Sequence, residues 1–258
     1  LSKRPERFLP DYWPTYYSKC KGIEVVDLNG NKFLDFSNMA VGSNILGYAN
    51  EKVNKYVKRN IDSGNNCTLN SPLEVELAQL ILKFHPEFHG VKFAKTGGEA
   101  IAMAIRIARA CTNSIDIAFS GYHGWHDWYL ATNLNSTTNL NEHLLPGLSP
   151  LGVPKQLIKT AFPIRFNNIK DLKKIFSKKN YPKIIIVEGA RFDFMSKEFA
   201  NELMNIKKKL KVILIMDEIT SGWRVRNGGA YQLNNIKPDI VVYGKSIGNG
   251  YPITVLVG

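Results

Sequence analysis

Short, largely apolar runs recur along this chain, separated by stretches in which apolar positions return every third or fourth residue. The runs Ile115–Phe119, Ile184–Val187, Val212–Met216 and Ile240–Tyr243 lack the strict alternation of a strand with one wet face. Such runs belong to a sheet covered on both sides, which is usually parallel. Between them lie helical patterns. One runs from about Glu99 to Ala110 with Ile101, Ala104, Ile105 and Ala108 on one face, and another covers roughly 168–178. A third, near 197–210, carries Phe199, Leu203, Ile206 and Leu210 on one face. Strands alternating with amphipathic helices predict an α/β class, a three-layer α/β/α arrangement around a mostly parallel sheet.

The N-terminal part reads differently. Ile23–Asp27 and Lys32–Phe36 flank the turn Asn29-Gly30-Asn31, which predicts a small β-hairpin. Helical spacing follows at Val53, Tyr56, Val57 and Ile61. A helix opening at Ser71-Pro72 would present Leu73, Leu77, Leu80, Ile81 and Phe84. The stretch from about 131 to 160 is the least regular and reads as a loop over an active site. The expected organisation is an N-terminal segment (1–50) followed by an incomplete large domain (51–258). The last run, Tyr251–Gly258, reads as a strand, so the chain reads as a fragment lacking a C-terminal small domain.

Composition narrows the functional classes. With 258 residues, 44% hydrophobic and 22% charged, the chain is of globular type and long enough for a substantial core. Its net charge of +12, from 34 basic and 22 acidic residues, raises a nucleic-acid partner as a possibility. The lysines are scattered, and Lys207-Lys208-Lys209 lies beside apolar helix positions as on a wet face. No basic stripe with interleaved aromatics occurs, so no nucleic-acid partner is expected. Cys20, Cys67 and Cys111 form neither a metal pair nor a disulfide framework, which points to a reducing cytoplasm. No apolar run approaches membrane-spanning length, so no membrane partner is expected.

Polar residues of particular chemistry fall where the strands run out, the place where open α/β sheets bind ligands. Lys95-Thr96-Gly97-Gly98-Glu99 opens into a helix, where small residues let backbone N–H groups approach a phosphate; a plain tight turn would give the same letters. Ser120-Gly121-Tyr122-His123-Gly124-Trp125-His126-Asp127-Trp128 could stack an aromatic on a flat heterocycle, pack against the core, or offer two histidines to a metal. Glu188 ends a buried strand and needs a partner there. Asp217 ends another and reads either as a counter-ion or as a helix cap. Lys245, after Val241–Gly244 and before a glycine-rich loop, sits where an amine can lose its proton and condense with an aldehyde. Taken with Asp217, it suggests pyridoxal phosphate.

In these stretches the chain resembles the fold-type I pyridoxal-phosphate enzymes of the class-III aminotransferase family, in the branch that includes glutamate-1-semialdehyde aminomutase. The matching residues are Asp27–Gly30 with Phe33–Phe36, Ile45–Gly47, Thr96–Ala100 with Ala104–Arg106 and Ala108-Arg109, Gly121–Gly124, Asp217-Glu218 with Ser221–Arg224, Gly228–Ala230, Pro238-Asp239 and Gly244-Lys245. They keep their order from about residue 20 to the end. The resemblance implies that Lys245 forms the aldimine with pyridoxal 5'-phosphate and carries a proton between substrate and cofactor. It implies that Asp217 pairs with the pyridine nitrogen, that Tyr122 and Ile219 pack on the two ring faces, and that Gly97 and Gly98 bind the phosphate with help from Thr96. Glu188 would support the ring and its neighbours. An amino donor and a carbonyl acceptor would be the small-molecule partners, and the full-length protein would be a homodimer.

The chain also departs from the family. Gly98 stands where a threonine is common, Gly189 where a proline follows the buried glutamate, and Trp125 where the aminomutase has histidine. Asn249-Gly250-Tyr251-Pro252 replaces a glycine-rich run. These departures favour an aminotransferase, with the intramolecular aminomutase and a non-catalytic truncated remnant as alternatives. Arg4 and Arg7 precede the region where the family often grips a substrate carboxylate.

Overall fold

The structure, a computed structural model, describes residues 14–64, 67–143 and 148–258; Arg4 and Arg7 lie outside the described residues. The chain forms two compact units. One holds the described residues up to Leu77 together with Lys245–Pro252, and the other holds Ala78–Gly244 with Ile253–Gly258.

In the first unit, β1 (Tyr17–Lys21), β2 (Glu24–Asp27) and β3 (Lys32–Leu34) form an antiparallel sheet in that order. The expected hairpin is β2–β3, with Glu24 opposite Leu34. Its turn is organised by Asp27, whose Oδ1 accepts from the amides of Asn29 and Asn31 at 2.9 and 2.8 Å, while Gly30 takes φ +84°. An aspartate bonding amides two to four residues on is an Asx-type turn, and it holds this aspartate below the usual carboxylate range, the Asn31 side chain contributing most. The added strand β1 was not legible, because Tyr-Ser-Lys-Cys-Lys has no apolar alternation. After the irregular turn α1 (Met39–Gly42) comes α2 (Glu51–Asp62), N-capped by Asn50, whose side chain accepts from Val53 N at 3.2 Å.

The boundary between the units falls within α3 (Pro72–Leu82). The face expected for this helix is mostly not buried. Ile81 is buried, but Leu73 and Leu80 keep 49% and 51% of their surface exposed.

The second unit is built on a seven-stranded sheet. Its elements in chain order are β4 (Val91–Ala94), α4 (Gly97–Thr112), β5 (Ile117–Ser120), α5 (Asp127–Leu130), β6 (Ala161–Pro163), α6 (Ile169–Phe176), β7 (Ile184–Glu188), α7 (Lys197–Leu210), β8 (Ile213–Asp217), β9 (Ile240–Tyr243) and β10 (Thr254–Val257). The strand order is β4-β10-β9-β8-β7-β5-β6. Only β10 runs against its neighbours, pairing antiparallel with both β4 and β9.

The strand sequences explain this placement. Ile117, Ile184, Ile186, Ile215, Ile240 and Val242 pack with Ala100, Ile101, Ala104, Ile105 and Ala108 of α4. The intervening residues Ile185, Val187, Leu214, Met216, Val241 and Tyr243 point the other way and are equally buried. Both faces of the sheet are therefore covered, as the unbroken apolar runs require. Each such aliphatic contributes roughly 1.5–3 kcal/mol by burial. On the far flank α6 packs on α7, which starts at its cap Ser196 (Phe199 N to Ser196 Oγ, 3.2 Å) and ends at left-handed Lys211.

The irregular stretch is more ordered than its sequence suggests. Helical turns occur at Ala131–Leu134 and Lys155–Leu157, and Leu140 and Val153 are buried. Asn133 substitutes for a backbone ladder there, donating to Leu148 O at 2.8 Å and accepting from Leu140 N at 3.2 Å.

Candidate active site

Strands β8, β7 and β5 are parallel neighbours, so their carboxyl ends lie side by side, with Glu188 opposite Asp217 and Ser120 opposite Val187. Asp217 is 2% exposed. Its Oδ1 accepts from Ile219 N at 3.0 Å, and its Oδ2 is 2.8 Å from His123 Nδ1. The other ring nitrogen of His123, Nε2, is 3.2 Å from the Ser120 carbonyl oxygen. A carboxylate only accepts, so Nδ1 is the donor toward Asp217, while Nε2 lies against the Ser120 carbonyl. The imidazole is further held by stacking on Trp128, centroids 6.2 Å apart and planes 26° apart. Sequence reasoning noticed His123 only as a possible metal ligand. Its position directly after β5 was the available signal, but a partner 94 residues away was not.

Glu188 is 3% exposed and has the partner its burial demands. Its Oε2 accepts from Tyr122 N at 3.1 Å and from Arg191 Nε at 2.8 Å, while its Oε1 pairs with the Arg191 terminal nitrogen. A fork-to-carboxylate pair of this kind is both strong and directional. Burial works against the Arg191 charge, but the glutamate outweighs it and raises the guanidinium above its ordinary value. Glu188 is wedged against Gly121, where any Cβ would overlap its carboxylate and where the backbone takes φ +113°. The adjoining Tyr122 ring is half-buried, edge-on to Tyr129 at 5.8 Å, with the Arg191 guanidinium 5.9 Å from its centroid. Burial pushes the Tyr122 phenol up.

Thr96, Gly97 and Gly98 lie at the N-terminus of α4. Thr96 is extended and caps the helix, accepting from Glu99 N at 3.2 Å. Glu99 folds back to accept from Lys95 N at 3.0 Å and Thr96 N at 2.8 Å, completing a capping box. Those backbone donors hold Glu99 below the usual carboxylate range. The Thr96 hydroxyl is committed to this cap, lying 3.2 Å from Glu99 Oε2. The amides of Gly97 and Gly98 are left, and among the described residues neither has a partner. A Cβ on Gly97 would come within 3.0 Å of Ile219 Cδ1, whereas one on Gly98 would meet nothing nearer than 3.9 Å. Gly98 therefore faces open space beside His126, whose buried Nε2 also has no partner among the described residues. Two donor amides at a helix start, with a positive dipole end, suit an anion.

Glu218 is fully buried beside this cluster. Its carboxylate bonds the Ser221 hydroxyl and accepts from Tyr231 N at 2.7 Å. Burial pushes its pKa up to about 7. Its bulk explains one departure from the family pattern: a Cβ at residue 189 would overlap the Glu218 carboxylate, and Gly189 N donates to Asp217 O at 3.0 Å, a bond proline cannot make.

Asp217, Ile219, Glu188, Tyr122 and Thr96–Gly98 thus share one compact unit. Lys245 follows β9 in sequence, one residue on after Gly244, but belongs to the other unit. It is half-buried, begins the turn Lys245–Gly248, and takes left-handed φ +46°. Within that unit the turn is anchored by Asn249, which accepts from Leu46 N at 2.7 Å and donates to Gly47 O at 3.2 Å. The donor set fits a flat, phosphorylated heterocycle: a buried carboxylate, a half-buried tyrosine ring and two unpartnered amides.

Residues 10–258 match the family described as aminotransferase class-III. Over 264 residues the chain is 31% identical to a 3-aminobutyryl-CoA aminotransferase of Cloacimonas acidaminovorans, covering 99% of this chain and 59% of that protein. Over 250 residues it is 31% identical to a glutamate-1-semialdehyde 2,1-aminomutase of Archaeoglobus fulgidus, covering 95% of this chain and 58% of that protein. A solved structure described as a transaminase with PLP bound has a TM-score of 0.84 and 26% identity, over 96% of this chain and 58% of its own. The chain spans less than two thirds of the length of these relatives.

Proposed function

This chain belongs to the class-III aminotransferase family, and we propose on that premise that it carries the cofactor site of a pyridoxal 5'-phosphate-dependent aminotransferase. When bound, pyridoxal phosphate supplies an aldehyde carbon for amines to condense with and a cationic ring that draws electrons from the substrate's α-carbon. The Asp217 carboxylate, aimed by Ile219 N and His123 Nδ1, would hold the proton on the ring nitrogen. The amides of Gly97 and Gly98 would take the phosphate, and Tyr122 and Ile219 would pack on the ring. The Glu188–Arg191 pair keeps the Tyr122 backbone in place. Lys245 would supply the amine for that aldehyde and the base for the proton on the substrate's α-carbon.

The observation that carries this reading is Asp217: a carboxylate 2% exposed, oriented through both oxygens, at the end of a central parallel strand. The relatives' names, an aminotransferase and an aminomutase, support amino-group chemistry and leave two readings. An external amino donor and a separate carbonyl acceptor are favoured over intramolecular transfer by Trp125 and by the Asn249–Pro252 run, which depart from the aminomutase pattern. The test is amino transfer with and without an added donor, using the protein supplemented with cofactor. Turnover only with a donor supports the aminotransferase. Turnover of glutamate semialdehyde with no donor favours the aminomutase, and no cofactor uptake at all overturns both.

A homodimer and a cytoplasmic setting belong to the same proposal. The first unit leaves Tyr56, Ile61 and Leu69 exposed at 68%, 61% and 80%, an apolar surface suited to a second copy, and light scattering of the purified protein tests this. Its cysteines are free, and no described helix is long and apolar enough to cross a membrane.

A further inference from the structure

A second buried polar cluster lies in the Ala78–Gly244 unit, centred on His85. This histidine follows α3 and has no exposed surface. Its Nδ1 is 3.0 Å from the Tyr231 hydroxyl, and its Nε2 is 3.0 Å from the Tyr243 hydroxyl. The Tyr231 hydroxyl is also 3.1 Å from Oε1 of Glu87, an exposed carboxylate.

Donor accounting gives this chain of contacts a single direction. An ionised carboxylate has no proton to give, so Tyr231 donates its hydroxyl proton to Glu87. The Tyr231 oxygen then has only lone pairs for His85, so Nδ1 carries the ring proton. Nε2 is left as an acceptor, and Tyr243 donates to it. Gln232 Nε2, 3.5 Å from the same Tyr231 oxygen, is a donor and agrees with this polarity. Burial pushes His85 below the ordinary imidazole value, which keeps the ring neutral and leaves one proton for its two nitrogens.

The cluster touches both ends of the segment that follows Asp217. The Tyr243 ring lies against Gly222, where any Cβ would overlap it. Trp223, held at φ +61°, packs 5.7 Å from Tyr243, 6.3 Å from His85 and 5.0 Å from Phe84. At the other end, Tyr231 N donates to Glu218 at 2.7 Å. An apolar ring at position 85 would fill the same volume but take from the buried Tyr243 hydroxyl its acceptor at Nε2. The titratable groups facing the imidazole are Glu87, Tyr231 and Tyr243, with Glu218 behind the tyrosines.

We propose that His85 is a positioning residue: with Tyr243, Tyr231 and Glu87 it forms a one-directional hydrogen-bond chain that locks the Glu218–Tyr231 segment onto β9 and so fixes the turn carrying Asp217. Its link to amino transfer rests on the reading of Asp217 given above, but the hydrogen-bond chain itself does not.

The test uses the whole chain without cofactor. Nitrogen NMR of histidine-labelled protein should show His85 protonated at Nδ1 and bare at Nε2 near neutral pH. Tyr231→Phe and Tyr243→Phe should each keep the proton on Nδ1, because the phenol that remains is satisfied only by that tautomer. Glu87→Gln, on the surface, adds a donor that can reverse the Tyr231 hydroxyl, so it should populate the Nε2–H form, a change that simple loss of packing does not produce. In His85→Phe, amide exchange at 218–223 should speed up at least tenfold. A bare Nδ1 in the parent protein, the same tautomer in all variants, or unchanged exchange in His85→Phe would overturn the proposal. Because no cofactor is present, either result leaves the cofactor reading to its own test.

Discussion

His123 and Asp217, 94 residues apart in sequence, meet at 2.8 Å with both side chains almost wholly buried. The second ring nitrogen of His123 is tied to the Ser120 carbonyl, so the imidazole cannot turn away without losing a bond. Asp217 is therefore aimed by the fold before any ligand arrives, which is what preorganised electrostatic catalysis requires.

Removing this carboxylate should separate stability from chemistry. Asp217→Ala leaves His123 buried without its acceptor and should cost about 3–5 kcal/mol of stability, the range for one partner of a buried pair. Asp217→Asn keeps the shape and should fold, yet lower amino transfer by about 10²-fold or more, as for loss of a preorganised charge partner. Denaturant melts beside single-turnover rates check both.

Lys245→Ala should abolish amino transfer while leaving the melting temperature nearly unchanged, because the side chain is only half-buried. Borohydride reduction of the cofactor-loaded protein, followed by peptide mass mapping, should place the cofactor on Lys245 in the parent and nowhere in the variant.

Two glycines should respond oppositely to alanine. At Gly121 a Cβ meets Glu188 and the backbone is at φ +113°, so Gly121→Ala should cost about 1–3 kcal/mol from overpacking plus strain. Gly98 opens α4 and faces space, so Gly98→Ala should keep or slightly raise stability, by less than about 1 kcal/mol. Its amide is kept and a larger residue is common there in the family, so phosphate and cofactor binding should be unchanged, read by equilibrium titration.

Two buried groups should pull stability in opposite directions across nearly the same acid window. Glu218 is raised from 4.5 to about 7 in the fold, burial being the main cause. Between those values the unfolded chain has released the proton and the native chain keeps it, so stability falls as pH rises, by on the order of 3 kcal/mol in total. His143 is lowered from 6.5 to about 4, again chiefly by burial. Below about 6.5 the unfolded chain takes up a proton the native chain refuses, so this contribution falls as pH drops. The two slopes largely offset, so Glu218→Gln should leave stability rising with pH across this window and His143→Gln should leave it falling, in unfolding curves measured from pH 4 to 8.

Local signals carried much of this far. Asn29-Gly30 predicted the hairpin turn, Lys95–Glu99 the opening of a helix, and the unbroken run Ile184–Val187 a strand buried on both faces. Arg191 as the partner of Glu188 was also within reach, only three residues on. Failures came where burial depends on what folds on top. Leu73 and Leu80 have the right spacing but no covering partner in the described structure, and Asn133 orders a stretch whose letters look irregular.

By itself the sequence determined the kinds of elements, their order, and the residue types standing where strands end. Those properties rest on backbone preferences and side-chain periodicity, which neighbours along the chain set. The tertiary structure alone decided that His123 orients Asp217, that His85 joins Tyr231 to Tyr243, and that Asn249 fastens the turn after Lys245 to Leu46. A buried hydrogen-bonding group must be paired, but which group pairs it depends on segments brought together from far apart, and no local pattern encodes that meeting.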